Sequence, residues 1–149
     1  MRVVWRRTAG ETGGRSTVLE AFLEPTAHVS RLHAHPRQQQ RVEVLAGSLG
    51  VQVGRRHAVV GPGARLVVAP GERHRFWNAG DETVQLVAET APALRLESLL
   101  AALLAHERPG LLRLALVAAA HADTVRLSPA PPRLEGLALA LAAPFGRVH

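Results

Sequence analysis

Between residues 17 and 89, short apolar runs alternate with turn residues at close and regular intervals. This pattern predicts strands near 17–24, 28–33, 41–46, 49–54, 57–60, 65–69, 75–78 and 83–89. The breaks between them are Gly, Pro and Asn/Asp turns: Gly47-Ser48, Gly54-Arg55-Arg56, Gly61-Pro62-Gly63, Pro70-Gly71 and Asn78-Ala79-Gly80-Asp81. Many short strands at even spacing in so small a chain indicate a sandwich or a barrel. From Pro92 the texture changes: β-branched residues nearly vanish and Ala and Leu dominate, so helix is expected. Leu96, Leu99, Leu100, Leu103 and Leu104 form one apolar stripe at helical spacing. Pro109 suits the first turn of a second helix reaching to about Ala120. That helix is apolar on nearly every side, so burial is expected. A stiff connector, Ser128-Pro129-Ala130-Pro131-Pro132, precedes a last short helix marked by Leu134, Leu137, Ala138 and Leu141. The expected organisation is a mainly β domain over 1–91 and a helical extension over 92–149, packed on the barrel or at a dimer interface.

Composition narrows the chemistry. The chain has 149 residues, the size of one domain, and no cysteine, which excludes disulfides, thiolate metal sites and cysteine nucleophiles. Lys and Tyr are also absent, removing two more acid/base candidates. The formal charge is +6, but the arginines that carry it are scattered, with no run of five or more. A nucleic-acid footprint clusters on one face, so a solvated basic surface and no nucleic-acid partner are expected. No stretch approaches the ~18 apolar residues of a membrane span, so stable insertion is not expected. No apolar run follows Met1–Arg7, and with the lack of cysteine this leads to a non-secreted, cytoplasmic expectation.

The candidate chemistry begins at His33-Ala34-His35. Side chains at i and i+2 of a strand point to one face, so the two imidazoles can converge inside a barrel. A lone His-x-His is equally a surface pair. Strand alternation puts Gln40, Val42, Val44 and Ala46 on one face and Arg41, Glu43 and Leu45 on the other. Gln40 can therefore face inward with the imidazoles, and Glu43 cannot without a bulge. His74 follows the turn Pro70-Gly71-Glu72-Arg73, at the start of the next strand.

These positions resemble the two conserved motifs of the cupin superfamily. In the first, G-x5-H-x-H-x3,4-E-x6-G, the residues His33, His35, Gln40 and Gly47 keep the spacing, with Ala27 replacing the leading Gly and Gln40 replacing the Glu. In the second, G-x5-P-x-G-x2-H-x3-N, the residues Gly63, Gly71, His74 and Asn78 keep it, with Ala69 replacing the Pro. The resemblance implies a cupin-type β-barrel, a double-stranded β-helix or jelly roll, here with an α-helical extension. It also implies one divalent metal ion (Zn, Ni, Cu, Fe or Mn) held by His33, His35 and His74, with Gln40 as fourth partner. A Gln offers only a carbonyl oxygen or a hydrogen bond to bound water, so binding weaker than with Glu and a tilt toward Zn, Ni or Cu are expected. A barrel that has lost its metal is the alternative. Histidines with an ordinary pKa near 6.5 would lose metal in mild acid.

Phe76, Phe22 and Gln38 are the substrate-binding candidates. Phe76 should share the inward face of His74, as pocket wall or ordinary core, and Phe22 has the same ambiguity. Gln38 and Gln39 read as a turn at the barrel mouth, either solvated or orienting a substrate. Trp77 should point outward. His57, His106, His121 and His149 show no ligand spacing and read as surface residues, while His28, five residues before His33, faces the opposite way in a regular strand. A small-molecule ligand or substrate and a homodimer are the expected partners. Function divides between a metal-dependent enzyme, a dioxygenase or isomerase, and a non-catalytic small-ligand module with a weak or lost metal site.

Overall fold

The computed structural model describes residues 1–27, 31–106 and 110–128. The elements, in chain order, are β1 (Arg2–Arg7), α1 (Ala9–Thr12), β2 (Thr17–Leu23), β3 (His33–Ala34), β4 (Gln39–Ala46), β5 (Leu49–Val53), β6 (Arg56–Val60), β7 (Arg65–Val68), β8 (His74–Asn78), β9 (Val84–Ala91), α2 (Leu96–Leu104), α3 (Leu111–Ala120) and β10 (Arg126–Leu127). The strands form two five-stranded antiparallel sheets, β1-β2-β9-β4-β7 and β10-β3-β8-β5-β6. This is the mainly β, cupin-type architecture expected, with helices toward the C-terminus.

Alternation builds the core. Leu19, Ala21 and Leu23 of β2, Val42 and Val44 of β4, and Leu86 and Ala88 of β9 face Leu49, Val51 and Phe76 of the other sheet, all buried in one cluster. Glu43 points away from that cluster, and its carboxylate accepts from Arg65 Nη2 at 3.1 Å. Two glycines have steric reasons. Gly47, which ends β4, has φ 76°, and a Cβ there would meet the Thr83 carbonyl oxygen at 2.8 Å. Gly50 lies under Trp77, its cross-strand partner, and a Cβ would sit 2.1 Å from the indole. Trp77 thus points away from the core, as expected, but it covers Gly50 beside His57 and Arg75.

The chain departs from expectation in three places among the described residues, and some expectations lie outside them. Arg2–Arg7 is a strand pairing β2, and Thr8 caps α1 in a reciprocal bond with Glu11. Arg126–Leu127, in the region read as helical, returns as strand β10 alongside β3. Helix α3 is not buried: none of its residues is enclosed, and Leu111, Leu112 and Leu116 are exposed. The expected helix near Leu134–Leu141 and the connector beyond Ser128 lie outside the described residues, as do His28 and His149.

A second cluster ties the extension to the barrel. Leu96, Leu99 and Val125 are buried together, with Trp5, Leu100 and Leu103 packed against them. Trp5 and Leu100 also touch the barrel core, so α2 sits on the barrel rather than apart from it.

Candidate metal centre

Cross-strand register brings the histidines together. His33 on β3 is the antiparallel partner of His74 on β8, so residues about forty apart in sequence face each other. The chain then turns through His35, whose ring lies 4.9 Å from that of His33 and 5.3 Å from that of His74. The Gly71 N–H donates to the His35 carbonyl at 2.8 Å, which locks the turn before His74 against the first pair. All three side chains are buried, and one nitrogen from each lies within 4.8 Å of the others.

Backbone carbonyls orient the rings. His33 Nδ1 lies 3.0 Å from the Arg31 carbonyl oxygen, His35 Nδ1 2.7 Å from that of Thr124, and His74 Nδ1 2.9 Å from that of Glu72. A carbonyl only accepts, so these contacts call for the proton on Nδ1 and leave Nε2 of His35 and His74 with the lone pair, while the His33 ring also meets the His74 backbone carbonyl. This carbonyl–imidazole arrangement is the one that prepares His as a metal ligand. His74 Nε2 and Gln40 Oε1 are buried and, among the described residues, have no hydrogen-bond partner. Buried polar atoms are normally paired, so the orphaned His74 Nε2 fits a cation within the histidine cluster, and Gln40 Oε1 is a second free acceptor on the lining of the adjoining cavity.

Electrostatics prepares the same state. Burial pushes the His33 imidazole down to about 4, with repulsion from His35 adding to the effect. Burial, then His33 and His35, hold His74 well below the ordinary value, and burial lowers His35. The rings therefore stay neutral to lower pH than a free imidazole, and the loss of ligand capacity expected in mild acid moves to lower pH.

The other candidates fall in different places. Gln40 lines the same cavity as His33 and His35, together with Phe76, whose ring is 5.4 Å from that of His74. Phe76 is also part of the core, so both of its readings hold. Phe22 lies outside the cavity, on the opposite side of β2 from Leu19, Ala21 and Leu23, with the Arg2 guanidinium 3.9 Å over its ring. Gln38 is not a solvated turn residue: it is 1% exposed, and its amide donates to the carbonyls of Pro92 and Ala93, both at 2.9 Å. It sits beside His35 and braces that loop against the start of the extension. Among the histidines read as surface residues, His106 lines the outer cavity and His121 is held by Ser98 and Val117.

One functional group escaped the sequence entirely. The Thr124 carbonyl orients His35 from the extension, and its own residue is fixed by Arg95 N–H donating to Thr124 Oγ1 at 3.3 Å. The helical segment thus supplies part of the centre. Its Leu96, Leu99, Leu100 and Leu103 bound, with His33 and His35, a cavity of about 830 Å³.

Residues 19–88 match the Cupin domain family. That stretch, just under half of the chain, is a cupin domain. It is 34% identical over 85 residues to Protein SchB of Streptomyces halstedii, a match covering 57% of this cupin and 59% of that protein. A conserved protein of Klebsiella pneumoniae with a double-stranded β-helix domain is 25% identical, with a TM-score of 0.51 over 54% of this chain and 70% of that one. A predicted oxalate decarboxylase from Thermotoga maritima, 16% identical, superposes with a TM-score of 0.58 over 60% of this chain and 78% of that one. The last likeness concerns the fold alone. Among the described residues, no helix of this cupin is long and apolar enough to cross a membrane.

Proposed function

We propose that this cupin binds one divalent metal ion through His33, His35 and His74, with Gln40 as fourth partner, and uses it to hold a small organic molecule inside the barrel. The observation that carries this reading is the shared orientation of the rings: three Nδ1 atoms engaged by backbone carbonyls, and a buried, unpartnered His74 Nε2. A bound divalent ion would supply Lewis-acid polarisation of a ligand oxygen or redox chemistry. An all-neutral donor set suits Zn, Ni or Cu better than harder ions.

The chain's own contribution is binding and orientation. Gln40 offers a carbonyl oxygen beside the imidazoles, Phe76 walls the cavity, and the α2 leucines exclude water. Among the described lining residues there is no carboxylate, so proton shuttling by an acidic side chain is not available. This favours oxygenase-type or simple Lewis-acid chemistry over isomerisation. The same observation favours the second reading, a non-catalytic ligand-binding module. A cytoplasmic, homodimeric protein with no nucleic-acid partner is the proposed setting, and light scattering tests the dimer.

The test is elemental analysis and calorimetry of the purified chain with Zn, Ni and Cu. One ion per chain is expected, with binding lost in His33→Ala and His74→Ala and strengthened in Gln40→Glu. A chain that stays metal-free with all three would refute the reading. Turnover against ligand-induced stabilisation without turnover separates enzyme from module.

A further inference from the structure

The cavity over the histidines has an unusual division of character. Its floor holds the polar groups, His33, His35 and Gln40. Its walls are barrel residues such as Val42, Phe76 and Leu86, and its roof is the leucine stripe of α2. Among the described lining residues no Ser, Thr, Asn, Asp or Glu occurs; of the two lining arginines, Arg31 is exposed and Arg75 holds its guanidinium over the Trp77 ring. At about 830 Å³ the space lies toward the upper end of the range of ~300–1,000 Å³ that encloses a drug-sized ligand, far more than a two-carbon acid fills.

Two physical demands follow. A divalent ion held by neutral ligands leaves two positive charges uncompensated in a buried site, so an anionic oxygen is favoured there. The walls impose the opposite preference: a hydroxyl placed against Leu, Val and Phe loses its water and gains no partner. A polyol or sugar phosphate would strand several such groups, whereas a hydrophobic body gains from contact with both barrel and roof.

Resting on the metal-binding reading above, we propose that the natural ligand is an apolar organic anion: a single acidic oxygen group directed at the histidine cluster, on a hydrophobic body clamped between the barrel and α2. The extension then acts as the specificity wall of the site.

Calorimetry on the nickel-loaded full chain tests this with dodecanoate, dodecan-1-ol, acetate and fructose 6-phosphate. Dodecanoate is expected to bind at least tenfold tighter than dodecan-1-ol and at least a hundredfold tighter than acetate or fructose 6-phosphate. Leu103→Asp should weaken dodecanoate at least tenfold and leave nickel affinity within twofold; Leu103→Ala, a milder change, should weaken it in the same direction if the first variant misfolds. Equal binding of acid and alcohol would overturn the anionic half. Acetate or fructose 6-phosphate matching dodecanoate, or roof variants without effect, would overturn the apolar half. A chain that takes up no nickel defeats the metal reading instead. In that case a preference of the metal-free protein for dodecanoate over acetate still supports the apolar half, and no preference overturns it.

Discussion

The barrel and the helical extension solve the same problem in different ways. The barrel encloses its apolar side chains between two sheets, and residues such as Leu49, Val44 and Leu23 are wholly buried. The extension has no such interior. Helix α3 buries none of its residues, and Leu112 remains 75% exposed. What fixes the extension is its contact with the barrel: Leu96, Leu99 and Val125 under Trp5, strand β10 beside β3, and the Thr124 carbonyl on His35. The difference shows that order in the barrel follows from its own sequence pattern, whereas order in the extension is borrowed from the site it covers.

Substitutions sharpen that contrast. The largest effect is expected at the centre itself. His74→Ala should reduce metal affinity by more than the ~10–100-fold that loss of a ligand's orienting partner costs, as read by calorimetry. Leu66→Ala, in the barrel interior, should destabilise the whole chain by about 2–5 kcal/mol in chemical denaturation. Val125→Ala should cost less, about 1–3 kcal/mol, and the loss should be local. Hydrogen exchange would then speed in α2 and α3 while β4 and β9 keep their protection; uniform loss would break the distinction between the two regions. Leu112→Ser on exposed α3 should change stability by no more than about 0.5 kcal/mol.

Acid gives a further check. In the unfolded chain the three histidines protonate near their ordinary value of about 6.5. In the native state His33 resists protonation to about 4, and His35 and His74 are shifted the same way. The unfolded state therefore binds more protons in that window, so metal-free stability should fall as pH drops from about 6.5 toward 4 and change little from these groups above 7. His33→Phe and His74→Phe should flatten the dependence measured by thermal denaturation.

Much of the barrel was legible in the sequence because period-two alternation and Gly/Pro turns leave direct marks. The inward Gln40 and outward Glu43 came from that rule, and the His33–His74 pairing agrees with motif spacing. Three things were not legible. A backbone carbonyl such as that of Thr124 has no side-chain signature. The exposure of α3 reverses the usual inference from an all-apolar helix, because among the described residues its partners are too few to cover it. Gln38 looked like a polar turn residue, yet its amide answers two carbonyls that only the folded extension brings near. The strand at Arg2–Arg7 and the Thr8/Glu11 cap carried ordinary signals that sat before the first recognised strand.

The most direct test of the central claim is long-range ¹⁵N–¹H correlation of the imidazoles in the metal-free protein, followed by one equivalent of zinc. The account predicts that His33, His35 and His74 are all neutral Nδ1–H tautomers at pH 7 and that their three Nε2 resonances shift together on adding zinc. Protonated Nε2 atoms, or rings that ignore the ion, would contradict it.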